Sequence, residues 1–576
     1  MRSRRATYRL PIAAASMFVL SAQFACGAVV FTGPAPLNSN AASDSANDFT
    51  PRIATDRDDT FVVVWASQSK LTEPGNGDFD IFFARSVDDG ATWSSVATLN
   101  DGADSDSVDD SSPDIATDGT TWIAAWSSDR SAGMGDVVDT DIFFSRSTDG
   151  GQMWSAAAVL NSNATSDLID GDGAPRIVND PTGIWICAWT SDADLDGSNS
   201  DSDIVFARST NDGDSWSAPA FLNSNAANGS SDDGNAFLAV RDAGTWIAVW
   251  ESNDTFGGAI GSDYDILFAR STDGGETWSD AQPLNSDAAT DQGATPAGND
   301  AGARVLNLGG ETWLATWHRH LGGGLTEILY ARSTDDGMSW SDPMVLDSPN
   351  SGSKSGQNRL FMSPIQIRWS TWNTGKGSPH LSPTLFGVAM SDSSVEPPDG
   401  KGGLSGSDYD LRIYFASEDG KQWTDPEFAN TNAFDDSRDD NNPELAADES
   451  GHVVLVWSSF DSLGNTIGTD ADILVSTVTI GGLTELLTPN GGEKWKRGKK
   501  KKIEWVTNVD SAEDVRLDLL RNGNKVKTIT NGAPNDGSFK WKVPDNLDKG
   551  GGYQVEIRLD SDPSVKDSSY YDFRLK

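Results

Sequence analysis

Apolar and polar residues alternate with period two through most of the chain, in short runs separated by Gly, Asp, Asn and Ser. That is the pattern of half-buried antiparallel strands. The runs recur in a fixed order. An entry such as Pro51-Arg52-Ile53-Ala54 leads to a run such as Trp122-Ile123-Ala124-Ala125-Trp126. An Asp-rich loop and a third run such as Asp141-Ile142-Phe143-Phe144 follow, and a stretch such as Pro283-Leu284-Asn285 closes the unit. Each unit is thus predicted to form four strands. The third strand begins near Ile81, Ile142, Ile204, Ile266, Ile328, Leu411 and Ile473. One small sheet cannot bury both faces alone, so such units must pack on one another, and radial repetition gives an all-β propeller. Seven blades are expected, with six the alternative. The last unit lacks a fourth strand, but Phe31–Asn40 (FTGPAPLNSN) matches Trp278–Asp287 (WSDAQPLNSD), so the N-terminal segment is expected to complete it.

Between the third and fourth strands a motif Ser-x-Asp-x-Gly-x-x-Trp recurs at Ser86–Trp93, Ser147–Trp154, Ser271–Trp278 and Ser333–Trp340. Ser209–Trp216 carries Asn211 in place of the Asp, and Ser417–Trp423 is one residue short. Turn chemistry explains each position: Asp accepts backbone N–H bonds, Gly permits a left-handed residue and Trp packs between blades. These boxes resemble the Asp-box, or BNR, repeat of the sialidase superfamily over residues 29–480. The resemblance implies the propeller fold and, more loosely, a glycan substrate or ligand. Of 21 Trp, six lie in boxes and ten on second strands, a periodicity that assigns them to the core.

Behind Ile480-Gly481-Gly482 the pattern changes. Thr488-Pro489-Asn490-Gly491-Gly492-Glu493, Ile503-Glu504-Trp505, Gly537–Pro544 and Gly552–Ile557 resemble a Kre9/KNH-like domain over residues 484–576. That resemblance implies a small Ig-type β-sandwich serving attachment to a cell surface or wall. Lys499–Lys502 within it either holds an anionic polymer or is a solvated loop.

Charge separates the two units. Of the formal charge of −43, residues 483–576 contribute 18 Lys+Arg against 15 Asp+Glu, and the rest 25 against 71. So acidic a body repels nucleic acid and anionic membranes, and makes divalent cations plausible ligands. Residues 1–28 have the layout of a secretory signal peptide, with Arg2, Arg4, Arg5 and Arg9 before an apolar stretch from Leu10 to Ala25. A secreted or cell-surface location is expected, with no transmembrane segment. Gln23 and Phe24 before Cys26 make a poor lipoprotein box, and Cys187 is left as a buried small hydrophobe with no disulfide partner.

In this connectivity the first-strand entries and the loops between second and third strands share one mouth, opposite the boxes. Aligned entries place Arg52, Asp114, Arg176, Phe237, Arg304, Ile365 or Gln366, and Glu444 around the axis. The sialidase resemblance implies that three Arg bind a sugar carboxylate, here Arg52, Arg176 and Arg304. It also implies a Tyr nucleophile with a Glu and an Asp acid/base. Tyr264 and Tyr409 sit in mouth loops, with Glu251 and Glu444 as candidate partners, but no motif fixes a catalytic residue. Blade five breaks the repeat: Trp317-His318-Arg319-His320 stands where other blades read Trp-Ser-Ser-Asp, which marks His318 and His320 as substrate or metal contacts, or as solvated strand residues. Asp192, Asp194, Asp196 and Asp203 follow the spacing of a twelve-residue calcium loop, with Gly197 at the turn and Asp in place of the final Glu. Unpaired solvated Asp is the alternative there.

Three functions fit: a secreted glycan-interacting or adhesive propeller stiffened by calcium, an exo-sialidase or related glycoside hydrolase, and a scaffold binding a protein partner through its acidic face.

Overall fold

The computed structural model describes residues 29–43, 45–69, 77–100, 103, 107–130, 139–165, 171–193, 195, 201–226, 231–241, 244–291, 298–322, 325–347, 362–367, 385–392, 410–416, 427–429, 438–448, 452–480, 484–489, 492–507, 514–560, 566–569 and 572–576. The signal-like segment 1–28 lies outside them. Among the described residues no helix is long and apolar enough to cross a membrane.

Six four-stranded antiparallel sheets and one five-stranded sheet precede residue 481. Blade one comprises Asp48–Thr55, Phe61–Ser67, Asp80–Ser86 and Ala97–Thr98. Blades two to six repeat that order from Asp110, Asp172, Asp233, Asp300 and Met362. The last blade holds Asp440–Ala447, Val453–Ser459 and Asp472–Ile480. Its outer edge is completed by the N-terminal segment, as the sequence match predicts: Ala35 and Pro36 pair with Val475 and Leu474, and Val29–Phe31 pairs with Val478–Ile480. First strands lie side by side round the ring, and Asp440–Ala447 returns to Asp48–Thr55. Closure removes the open sheet edges that would otherwise template aggregation.

Second strands are covered on both faces, so their central residues are mostly apolar. All ten second-strand Trp are fully buried, as is Cys187, whose thiol is pushed well up by that burial. The boxes fasten each blade to its predecessor. In blade two, Ser147 Oγ accepts the Gly151 N–H at 3.0 Å, and Asp149 Oδ1 accepts those of Gln152 and Met153 at 3.1 and 2.9 Å. Trp154 then meets Phe83 of blade one edge-on, with centroids 5.9 Å apart. Gly151 has φ +77°, and a Cβ there would stand 2.6 Å from Val62 Cγ2 of blade one. Val62 is β-branched and fully buried, so it cannot yield. Gly151→Ala is therefore expected to destabilise the propeller by about 2–4 kcal/mol in urea titration, combining left-handed strain with overpacking.

A second fastening repeats nearer the mouth. In it one buried Asn reaches from the end of a blade to two buried Asp, the first residues of that blade's third strand and of the next blade's first strand. Asn161 Nδ2 donates to Asp141 and Asp172 at 2.9 and 2.7 Å, and Asn223 to Asp203 and Asp233 at 2.8 and 2.7 Å. Asn38 and Asn285 do the same. The Asp that open these first and third strands, and the Asn that reach them, are thus interior joints.

Residues 484–576 form a sandwich. Thr484–Thr488, Lys500–Thr507 and Ser538–Lys542 make one sheet, and Asp514–Arg521 and Gly550–Leu559 are central to the other. Trp495, Trp505, Trp541 and Tyr553 fill its core. Asp518 is covered yet ion-paired to Arg516, Lys525 and Arg558 at 3.2, 2.7 and 3.0 Å. Burial works to raise its pKa, but the Lys525 and Thr528 hydrogen bonds and the Arg516 and Lys525 charges outweigh it and hold the carboxyl below its ordinary value. Asp518→Asn leaves three cations around a neutral amide. Because those cations are partly exposed, we expect a loss of about 2–3 kcal/mol, read as a lower urea midpoint for the sandwich.

Candidate functional site

The axis is lined by one residue per first strand, and the backbone sets its aim. In blades one to five and in the last blade the register slips at an equivalent place, between Phe49 and Arg52, Ser111 and Asp114, Gly173 and Arg176, Gly234 and Phe237, Ala301 and Arg304, and Asn441 and Glu444. The residue inside each bulge is left-handed, with φ of 51° at Thr50, 51° at Ser112, 52° at Ala174, 53° at Asn235 and Asn442, and 67° at Gly302. A bulge re-aims the side chain that follows. Here it turns three Arg, two acids and one Phe into the same ring. Ile365 and Gln366 pair with Gly387 and Phe386 in blade six.

The three Arg are within electrostatic reach of one another. Their neutralisation is unequal. Arg52 pairs with Glu444 through Nη1 and lies 3.7 Å from Asp114 through Nε. Arg176 and Arg304 have no carboxylate within 4.0 Å among the described residues; each turns Nη1 back onto the preceding carbonyl, Pro175 O at 2.9 Å and Ala303 O at 3.0 Å. Arg304 also stacks over Phe237, with Cζ 4.9 Å from the ring centroid. Burial and then the Arg52 charge lower the Arg176 pKa to about 9, and burial also lowers that of Arg304. Both remain cationic at neutral pH. Asp114, raised by burial against the pull of Arg176 and Arg52, accepts the Ile177 N–H at 2.8 Å.

Blade five adds two imidazoles near Arg304. The His318 and His320 rings stand perpendicular with centroids 5.3 Å apart. Burial, then His320 and Arg304, push His318 down to about 3, and burial lowers His320 as well. His318 is thus neutral in the ordinary pH range, with Nδ1 buried and unpartnered among the described residues. Glu251 accepts the Gly302 N–H at 2.5 Å and Asn235 Nδ2 at 3.2 Å, and burial raises its pKa. Tyr264 lies within electrostatic reach of Glu251; burial and then Asp232 and Glu251 raise the phenol. Tyr409 lies outside the described residues.

Of the calcium-loop set, Asp194 and Asp196 also lie outside them. Asp192 Oδ1 accepts the Ser202 hydroxyl at 2.6 Å, and Asp203 is engaged by Asn223 at a blade joint. The residue that the sequence reading passed over is Arg319. It takes the place of Ser67, Ser128, Ser191, Ser252 and Ser459 in the other blades, judged by pairing with the first residue of each first strand. Its uniqueness at that position was the available signal.

Residues 119–364 match the family model described as a BNR repeat-like domain, and residues 488–573 that of the Kre9/KNH-like N-terminal Ig-like domain. Similar solved structures include a Hadza microbial sialidase, at 15% identity and TM-score 0.38, covering 62% of this chain and 66% of that one. Another is the Penicillium chrysogenum α-L-arabinanase complexed with arabinobiose, at 14% and 0.40, covering 68% and 99%. The leech intramolecular trans-sialidase matches at 13% and 0.39, covering 78% and 70%. No curated protein sequence matches the chain. The repeated four-stranded sheets and the two matches together make this chain an all-β propeller that carries a BNR repeat-like domain over residues 119–364, followed by a Kre9/KNH-like Ig-like domain over residues 488–573.

Proposed function

We propose that the propeller is a secreted glycan-binding module that takes an acidic sugar group at its axis, with the C-terminal sandwich serving attachment to a cell surface or wall. The observation that carries this is the pair of covered guanidinium groups, Arg176 and Arg304, that face the axis with no carboxylate within 4.0 Å among the described residues. Asp114 and Glu444 offset their charge only from farther off, and a planar carboxylate or sulfate fits two guanidinium forks. Arg52, already held by Glu444, serves as scaffold. His318 and His320 add neutral hydrogen-bonding groups beside Arg304. Calcium in the Asp192–Asp203 loop belongs to this reading as a stiffener of the mouth.

Catalysis of the exo-sialidase type is the second reading, favoured by the nearness of Tyr264 to Glu251. Against it, the surrounding carboxylates raise the phenol, which opposes formation of a nucleophilic phenolate. A glycan array with sialylated, uronic, sulfated and neutral members, run with and without chelator beside a fluorogenic sialoside assay, separates the two. Retention of acidic glycans without turnover supports binding. Turnover establishes the hydrolase, and indifference to acidic groups removes both.

A further inference from the structure

Five carboxylates crowd the joint between blades four and five. Asp265 opens the third strand of blade four and Asp300 the first strand of blade five, and neither is exposed at all. Asp263 lies two residues before Asp265 and is 8% exposed, while Asp287 and Asp291 come from the connection between the blades. One cation faces them. Arg319 grips Asp300 with Nε–Oδ1 and Nη2–Oδ2 at 2.7 Å each, Asp287 with Nη1–Oδ2 at 2.7 Å and Nη2–Oδ1 at 3.1 Å, and Asp291 Oδ2 through Nη2 at 2.8 Å. Its hydrogen bonds go to Asp300 and Asp287, while Asp291 is held by charge, with neither oxygen hydrogen-bonded among the described residues.

What remains is unmatched. Oδ2 of Asp265 and both oxygens of Asp263 are buried with no hydrogen-bond partner among the described residues. Asp263 is within electrostatic reach of Asp265 and Asp291. One oxygen each of Asp265, Asp291 and Asp300 lie within 4.8 Å of one another. That span suits oxygens placed round one ion at about 2.3–2.6 Å. Buried carboxylates without a counter-charge are strongly disfavoured, and an all-oxygen donor set selects a hard cation.

We propose that this joint binds one calcium ion through Asp265 and Asp291, with Asp300 shared between the ion and Arg319, and with Asp263 adding negative charge beside it. The ion completes the neutralisation that Arg319 begins and locks blade four to blade five. It is a different place from the Asp192–Asp203 loop of blade three, and it does not depend on the glycan reading.

The test uses the full chain, stripped with EDTA, dialysed against about 1 mM CaCl2 and analysed for bound metal and thermal unfolding. The wild type is expected to hold calcium and to melt several degrees higher than in EDTA. Asp265→Asn and Asp291→Asn should each lose one equivalent, or weaken its binding by at least about tenfold, and should melt as the wild type does in EDTA. A double Asp192→Asn, Asp194→Asn variant should keep that equivalent. Asp291 is in a connection, so its variant tests the site even if Asp265→Asn fails to fold. Wild-type stoichiometry and affinity in both single variants, absence of bound calcium in the wild type, or loss confined to the loop variant would overturn the proposal.

Discussion

Arg176→Ala combined with Arg304→Ala is expected to abolish retention of acidic glycans while leaving the propeller folded. Each guanidinium–carboxylate interaction contributes about 1.5–3 kcal/mol, so each single variant should weaken binding roughly 10- to 150-fold. Stability should fall less than in Arg52→Ala, because neither Arg has a carboxylate within 4.0 Å among the described residues and Arg52 still stands beside Asp114. Arg52→Ala strips Glu444 of its partner and should lower the urea midpoint further. Titration of immobilised sialylated and neutral glycans, beside urea unfolding of the same proteins, reads both effects. Unchanged affinity in the double variant would leave the axis without a ligand role.

Between pH 5 and 7.5, measured in chelator, the propeller is expected to lose stability as pH rises, the reverse of ordinary acid denaturation. Asp233, at the joint of blades three and four, is raised by burial to about 7, against hydrogen bonds from Ser252, Asn225 and Trp250. Unfolded, it titrates near 3.8. Between those values the folded chain holds a proton that the unfolded chain has released. This contribution is fully present below the unfolded value and lost as pH passes the folded one. Its size is on the order of 4 kcal/mol. Asp265 and Asp291, raised by burial to about 7 and about 6, act in the same sense, so Asp233→Asn should lessen the slope without abolishing it. The box carboxylate Asp273, lowered to about 2 by Thr277, Ser271 and Glu276 hydrogen bonds that outweigh burial, acts in the opposite sense, but only below 3.8. A wild-type stability that is flat or rising across this range would show Asp233 ionised in the fold.

Much of the scaffold was legible because it repeats. Box spacing, second-strand Trp and the FTGPAPLNSN match locate strands, core and closing segment. Alignment of the entries also put Arg52, Arg176, Arg304, Asp114 and Glu444 on one ring. Which Arg is neutralised was not legible, since it depends on which acid stands beside it once the ring closes. The bulge that aims them has only a partial trace, Pro51, Pro113, Pro175 and Pro443 immediately after left-handed residues. The joint role of the Asp that open the strands was not legible, because period-two patterning marks Asp as polar and cannot show an Asn reaching it from the end of a blade. His318 and His320 drew attention by rarity, whereas Arg319 between them takes up the acids.

Pairing Ala35 with Val475 has a consequence for how the molecule is made. The contact spans some 440 positions, so loop-closure entropy places it late in folding, after the intervening blades have organised locally. The first strand to emerge during synthesis must wait, unpaired, for the last. The nascent chain therefore carries an exposed β-edge throughout elongation, and the vulnerable interval for misassembly ends only when the two termini of the ring meet.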